Sequence, residues 1–362
     1  MQMSGVAAKL RRRFLDVHER ALVSRRPEGP VRGRALLAHE IEALALPPGA
    51  PAPVRHNNLG EAIVLRETLL GLGFAVDAIS RERRRFRPKG RYDLFVGPRQ
   101  SFTRIAAALN PDCIKVVHLD TAHWLANDAA IFAREAALRD RRGIAIDSHK
   151  FVHPNRAIEA ADYATLLGNA WDFETYAFAG KPVFQVPNPA AVTYPWLEDK
   201  DFAAARNRFL WIGSQGFVHK GLDLVLEAFA RMPDLHLTVC GPLHEEKDFV
   251  AAFGRELFET PNIETLGWVD IASPAFADLA RRTLALVYPS CAEACCGTVV
   301  NSMHAGLIPL ASRESGVAID PDFGGPVGGS VEAVEAAVRR LAARPPAELA
   351  AMARRAWSTA RA

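Results

Sequence analysis

Two rhythms of apolar and polar positions alternate along the chain. Short apolar runs stop at glycine or a polar turn, and longer stretches place apolar residues three and four apart. The runs predict strands and the 3.6-residue period predicts helices. In the first half, residues 35–41, 74–79, 92–96, 114–118, 161–167 and 183–186 predict strands. A helix capped by Asn58 extends to about residue 72, with Leu59, Ala62, Ile63, Arg66 and Leu70 near one face, and Gly71 and Gly73 end it. Residues 124–142 predict a second helix, stopped by Gly143.

The pattern then restarts. Residues 209–213, 235–240, 263–266, 284–288 and 307–312 predict strands, and the first three close at Gly213, Gly241 and Gly267. Between them, 222–232, 274–282 and 297–305 predict helices, the first striped by Leu222, Val225, Leu226 and Phe229. The Ala- and Arg-rich tail predicts further helix. Alternating strands and helices imply parallel sheets, with ligands taken at the carboxyl ends of the strands. The expected organisation is a basic N-terminal extension over 1–30, a Rossmann-like domain over 31–195, a second over 196–330 and a helical tail over 331–362.

Length and composition agree with that picture. The chain has 362 residues, 49% hydrophobic and 23% charged, which suits two globular domains and excludes wholesale disorder. Five cysteines without a C-x-x-C spacing read as reduced thiols in a cytoplasmic setting. No run of about twenty apolar residues is present, and the basic start lacks the apolar region of a signal peptide. The net charge of +3 says little, but its distribution is uneven. Lys9, Arg11, Arg12 and Arg13 crowd the start, and Arg81, Arg83, Arg84, Arg85, Arg87, Lys89 and Arg91 form a second basic stretch.

The most informative segment runs Pro289-Ser-Cys-Ala-Glu293-Ala-Cys-Cys-Gly297-Thr298-Val-Val-Asn301 and continues to Gly306. It reads as a strand, a loop with one carboxylate, and a helix whose first amides and positive dipole end form an anion site. Such a site suits a ligand with hydroxyls at one end and phosphates at the other.

This segment resembles the C-terminal half of family 4 glycosyltransferases (glycosyltransferase group 1). Their pattern is Glu, seven residues, Glu, then Ala and Gly. Glu293 and Gly306 match, and Asn301 stands where the second Glu belongs. Trp211, Ile212 and Gly213 followed by Lys220 and Gly221, then Gly241 with Pro242, Gly267 with Trp268 and Val269, and Pro187 with Asn188 resemble the family's further motifs in order. The resemblance implies a GT-B fold: two Rossmann-like domains facing across a cleft. It also implies a retaining, metal-independent transfer of a sugar from a nucleotide-diphosphate sugar to a glycan, lipid-linked or small-molecule acceptor, with no further cofactor.

Residue roles follow from the same resemblance. Lys220, Gly297 and Thr298 would meet the diphosphate, with Gly213 and Ser214 beside them; Ser214 replaces the family's arginine. Asn301 would hold the ribose. Gly241, Trp268 and Val269 would line the base pocket, although Trp268 also reads as a packing residue. Glu293 would face the donor sugar. A histidine near that sugar is expected as well: His123, in the loop past a strand, is preferred to His118, which could instead be buried and neutral. His56, Asn58 and Gly60 would line the acceptor side, while His149, His153 and Asn155 read as structural.

Other chemistry has less support. Asp320-Pro-Asp322 spells a D-x-D, but in a loop remote from the motif strand, so no metal is expected. Cys295 and Cys296 sit at a helix start that could lower a thiol pKa, yet read better as small residues. The alternatives are a nucleotide-sugar epimerase on the same fold, or a degenerate binding protein, suggested by Ser214 and Asn301. Partners beyond donor and acceptor would include an anionic membrane at the inner face, met peripherally through the basic stretches, and no nucleic acid.

Overall fold

A computed structural model describes residues 21–50, 57–83, 85–146, 148, 150–188 and 190–361. The basic run at 9–13, Arg84, His56 and His149 lie outside the described residues. Contacts divide the chain into two compact units, and the division does not follow a single cut near residue 195.

The first unit is built on a seven-stranded sheet, ordered β1-β3-β2-β4-β5-β6-β7. Its strands are β1 (Leu22–Arg25), β2 (Gly33–His39), β3 (Phe74–Ser80), β4 (Leu94–Pro98), β5 (Ile114–Leu119), β6 (Tyr163–Leu167) and β7 (Val183–Val186). β2 through β6 pair in parallel, and β1 lies antiparallel on β3. The core between sheet and helix joins Leu37, Val76 and Val96 to Leu59, Ala62 and Leu69 of helix Asn57–Gly71.

Three expectations shift here. Residues 22–25, expected in an extension, are an edge strand. The first parallel strand ends at His39, and its expected last residue, Ile41, begins a short helix instead. Asn58 lies in the first turn of its helix rather than capping it, because the helix already runs at Asn57.

The second unit holds a six-stranded parallel sheet, ordered β10-β9-β8-β11-β12-β13. Its strands are β8 (Arg208–Ile212), β9 (His236–Cys240), β10 (Ile263–Gly267), β11 (Ala285–Tyr288), β12 (Ile308–Ala311) and β13 (Gly325–Pro326). Numbered from β8 as first, this is the 3-2-1-4-5-6 order of the dinucleotide-binding fold, and the order reverses between β8 and β11. The C-terminal ends of β8, β9 and β10 are in step. Ile212 pairs with Cys240, the Gly213 amide donates to the Cys240 carbonyl at 3.0 Å, and the Gly241 amide to the Gly267 carbonyl at 2.9 Å.

Residues 121–154 belong to this second unit although they follow β5 in sequence. Their charges explain it. Helix Trp124–Arg142 carries Arg134, buried and donating to the Pro289 carbonyl at 2.9 Å, and Arg141, paired with the buried Asp223 at 2.8 Å. Arg142 pairs with Glu256 at 2.6 Å and lies over the Phe253 ring. A buried charge needs such partners, so the helix is fixed where they are. Among the described residues, no helix is long and apolar enough to cross a membrane.

Candidate active site

The reversal between β8 and β11 brings two loops together. The loop after β8 runs from Gly213 to Gly221 and ends in helix Leu222–Ala230. Its middle is fixed by Glu246, whose carboxylate accepts from the Gly216 amide and from the Phe217 amide at 3.1 Å. The Lys220 amide donates to the Gly216 carbonyl at 2.8 Å, and the Trp211 indole to the Lys220 carbonyl at 3.3 Å. The loop after β11 is anchored to the first through the Cys291 amide, which donates to the His219 carbonyl at 2.9 Å.

These constraints place Glu293 opposite Lys220. Its Oε1 lies 3.4 Å from Lys220 Nζ and 3.7 Å from His219 Nε2. Burial pushes the Glu293 carboxyl up, but Lys220, His219 and Lys150 outweigh it and hold the group well below the usual carboxylate range. Burial lowers the pKa of His219 despite the partner carboxylate.

Beside this cluster is a cavity of about 310 Å³ whose lining includes Lys150, Ser214, Pro242, Glu245 and Trp268. Ser214, Pro242 and Trp268 each directly follow the glycine that closes a strand run, so the aligned strand ends form its floor. Trp268 is 64% exposed, which corrects the packing reading: the indole is free for a flat ligand. Val269 is half-buried, and Gly213 and Gly241 are buried beneath.

Helix Gly297–His304 begins as expected, with Gly297 and Thr298 half-buried in its first turn and no side-chain cap on Cys296. Cys296, at that start, is buried. Burial and the charge of Glu293 push the Cys296 thiol up to about 11. Asn301 is 4% exposed, and its side-chain oxygen accepts from the Val192 amide at 3.4 Å, so it is engaged with the backbone of its own unit.

Of the two histidines, His123 is the N-cap of helix Trp124–Arg142 and buried, with its amide donating to Thr175 Oγ at 3.0 Å and its ring tilted against Trp124. His118 lies in the first unit and is buried, as one of its two readings had it. It pairs with Glu61, its Nδ1 is 2.7 Å from Thr165 Oγ1, and its pKa is raised: burial lowers it, but Glu61 outweighs that. His39 Nε2 meets the same carboxylate at 3.2 Å. His39, Glu61 and His118 are spaced like metal ligands, yet each of the two rings already meets the carboxylate. Gly60 is half-buried in the helix that carries Glu61. The D-x-D lies in a tight turn, the Asp322 amide donating to the Asp320 carboxylate at 2.8 Å.

Sequence reasoning missed Lys150, His219, Glu246 and Asp172. Asp172 is fully buried after β6, with its carboxylate accepting from the Asn169 amide at 3.0 Å. Burial and the nearby charge of Glu293 push it up to about 7.

Residues 206–344 match the family model described as glycosyl transferases group 1. No curated protein matches the chain by sequence. Among solved structures, Anabaena Alr3699/HepE in complex with UDP and glucose is similar at a TM-score of 0.57 and 15% identity, covering 91% of this chain and 95% of that one. An E. coli structure, trehalose-6-phosphate bound with UDP-2-fluoro glucose, gives 0.57 and 10% identity over the same 91% and 95%. A TarM mutant from S. aureus, in complex with fondaparinux, alpha-GlcNAc-glycerol and UDP, gives 0.52 and 11%, covering 73% of this chain, and the chain spans 51% of that protein's length. The fold is GT-B, two Rossmann-like α/β domains, and residues 206–344 are similar to the group 1 glycosyl transferases.

Proposed function

We propose that the protein transfers a sugar, with retention and without a metal, from a nucleotide-diphosphate sugar to a glycan, lipid-linked or small-molecule acceptor. One observation carries the reading: Lys220 Nζ stands 3.4 Å from the ionised Glu293 at the reversal point of the second sheet, beside a cavity of about 310 Å³ walled by the exposed Trp268. The base would lie against Trp268. The diphosphate would meet Lys220 and the first amides of helix Gly297–His304, which together supply the positive charge a departing diphosphate needs. Glu293 would face the sugar. Retention and independence from a metal rest on the resemblance of the Glu293 motif to family 4 enzymes.

UDP-containing ligands in the Anabaena and E. coli neighbours make UDP the first nucleotide to try. A thermal-shift panel of UDP, GDP, dTDP and ADP, each with its sugars, tests the reading. Stabilisation by one nucleotide series is expected, and no shift with any of them would sink it. Proton NMR of the product anomer tests retention.

Contact with an anionic membrane through the Arg81–Arg91 stretch belongs to the same proposal. Two of its charges are already paired, Arg81 with Glu40 at 2.9 Å and Arg91 with Asp112. Any contact must therefore be weak and salt-sensitive. Pelleting with anionic but not neutral vesicles at low salt is expected, and protein left in the supernatant refutes it.

A further inference from the structure

The loop after β8 presents one cation where the group 1 pattern carries two, because the arginine position is Ser214. We propose that Lys150, from a segment more than sixty residues upstream, supplies the missing cation of the diphosphate subsite. The inference rests on the nucleotide-sugar reading above and deepens it.

The geometry points to Lys150 in three ways. It lines the same cavity as Ser214, Gln215 and Trp268. Its stem crosses Gly216 so closely that a methyl group at 216 would lie 2.8 Å from Lys150 Cγ and 3.0 Å from Cε. The bare glycine thus makes room for the lysine. The backbone is also held: the buried Asn127 donates to the Lys150 carbonyl at 3.2 Å, and Asp128 accepts from the Val152 amide at 2.9 Å. Both anchors sit on helix Trp124–Arg142, itself fixed to this unit through Arg134 and Arg141. An amine positioned by a rigid helix loses less freedom on meeting a ligand than one on a free loop.

The cavity carries charge of both signs, with Glu245 on its wall beside Lys150. Burial and the like charge of Lys220 lower the pKa of Lys150, against the pull of Glu293 and Glu246. Glu246 is meanwhile occupied by the Gly216 and Phe217 amides. Glu293 offsets part of the repulsion between the two amines, and a diphosphate meeting both of them would offset the rest.

Calorimetry with UDP, the other nucleoside diphosphates and inorganic pyrophosphate tests this. Pyrophosphate probes the subsite whatever the base. K150M keeps the stem over Gly216 and removes the charge. It is expected to weaken both ligands ~10–100-fold, the range of one charged hydrogen bond. K150R should retain most of the affinity, and S214R placed in the K150M background should restore it by returning a cation to the usual position. If K150M lowers the ligand-free melting temperature, affinity regained by S214R without regained stability still assigns the effect to charge. Unchanged affinity in K150M, while K220A loses it, overturns the role of Lys150 and leaves the nucleotide-sugar reading intact. A wild-type protein that binds none of these ligands overturns both.

Discussion

Gly316→Ala should inactivate the site without touching a charged group. Gly316 has a φ of 72° and closes the turn that backs the Glu293 loop. The Glu293 amide donates to the Glu314 carbonyl at 2.8 Å and the Cys296 amide to the Ser315 carbonyl at 2.9 Å, so the two segments run side by side. A methyl group on Gly316 would fall on the Ala294 carbonyl and lie 2.8 Å from Cys295 N. Backbone strain alone costs ~1–2 kcal/mol, and relief of the overlap must move the 293–296 loop by ~1 Å or more. A misplacement of that size costs ~100-fold in rate. Gly143→Ala is the control, since its φ is 69° but nothing lies within 4 Å of an added methyl. It should carry the strain and keep full activity. Sugar transfer followed with a radiolabelled donor should show kcat down ~100-fold in G316A, with KM raised as well because the 293–296 loop leads into the helix start at Gly297. A G316A enzyme within twofold of wild type would refute the claim that this turn positions Glu293.

Three further substitutions probe the charges. Lys220→Ala should weaken nucleotide binding by ~1.5–3 kcal/mol in calorimetry, and unchanged affinity would show that the amine serves only Glu293. Glu293→Gln keeps the shape and removes the charge, so kcat should fall ~100-fold with KM nearly constant if the carboxylate acts in the transition state; lost affinity at normal kcat would make it a binding residue. For Asp172, the raised pKa of about 7 means that the native state keeps a proton which the unfolded chain releases from about pH 4 upward, so this group's contribution to stability falls as pH rises through that window. Asp172→Asn should therefore gain stability relative to wild type above pH 7, by at most ~4 kcal/mol, and identical denaturation curves at pH 5 and 8 for the two proteins would show that Asp172 is ionised in the fold.

The second sheet was legible because each of its first three strands ends in glycine, a local signal that needs no partner to be read. Glu293, Lys220 and the helix start at Gly297 were legible for the same reason: each is tied to a strand end by a few residues of chain. Helix Lys247–Phe258 was not foreseen, although Phe249, Phe253 and Leu257 fall four apart and are buried; there the period was present and overlooked. β1 and the break after His39 were harder. A four-residue edge strand has almost no periodicity, and the apolar run through Ile41 does not show where pairing stops. Lys150 and the placement of residues 121–154 were beyond local reading altogether. They depend on Arg134 and Arg141 finding a carbonyl and a carboxylate more than eighty residues away. Trp268 misled for a general reason: burial statistics describe the average tryptophan, and this one stands at a strand end beside a cavity.

Opposite shifts at two carboxylates show how the fold divides their work. Asp172 feels the charge of Glu293, and both are penalised by burial. Glu293 faces Lys220 and His219 and is held ionised. Asp172 accepts from the Asn169 amide and is pushed up to about 7. Asp172 is fully buried, so it cannot touch a ligand; its effect is on the chain around it. The Asn169 side chain donates to the Arg313 carbonyl at 2.8 Å and to the Val317 carbonyl at 3.3 Å, on either side of Gly316. The segment that Asp172 stabilises therefore grips the turn that sets Glu293. Ionising Asp172 would place a second negative charge behind a carboxylate whose cations are already committed, although it would tighten the bond from the Asn169 amide. Burial and the charge of Glu293 thus favour the proton on Asp172, against the pull of the Asn169 amide, while Glu293 faces the cations of the site.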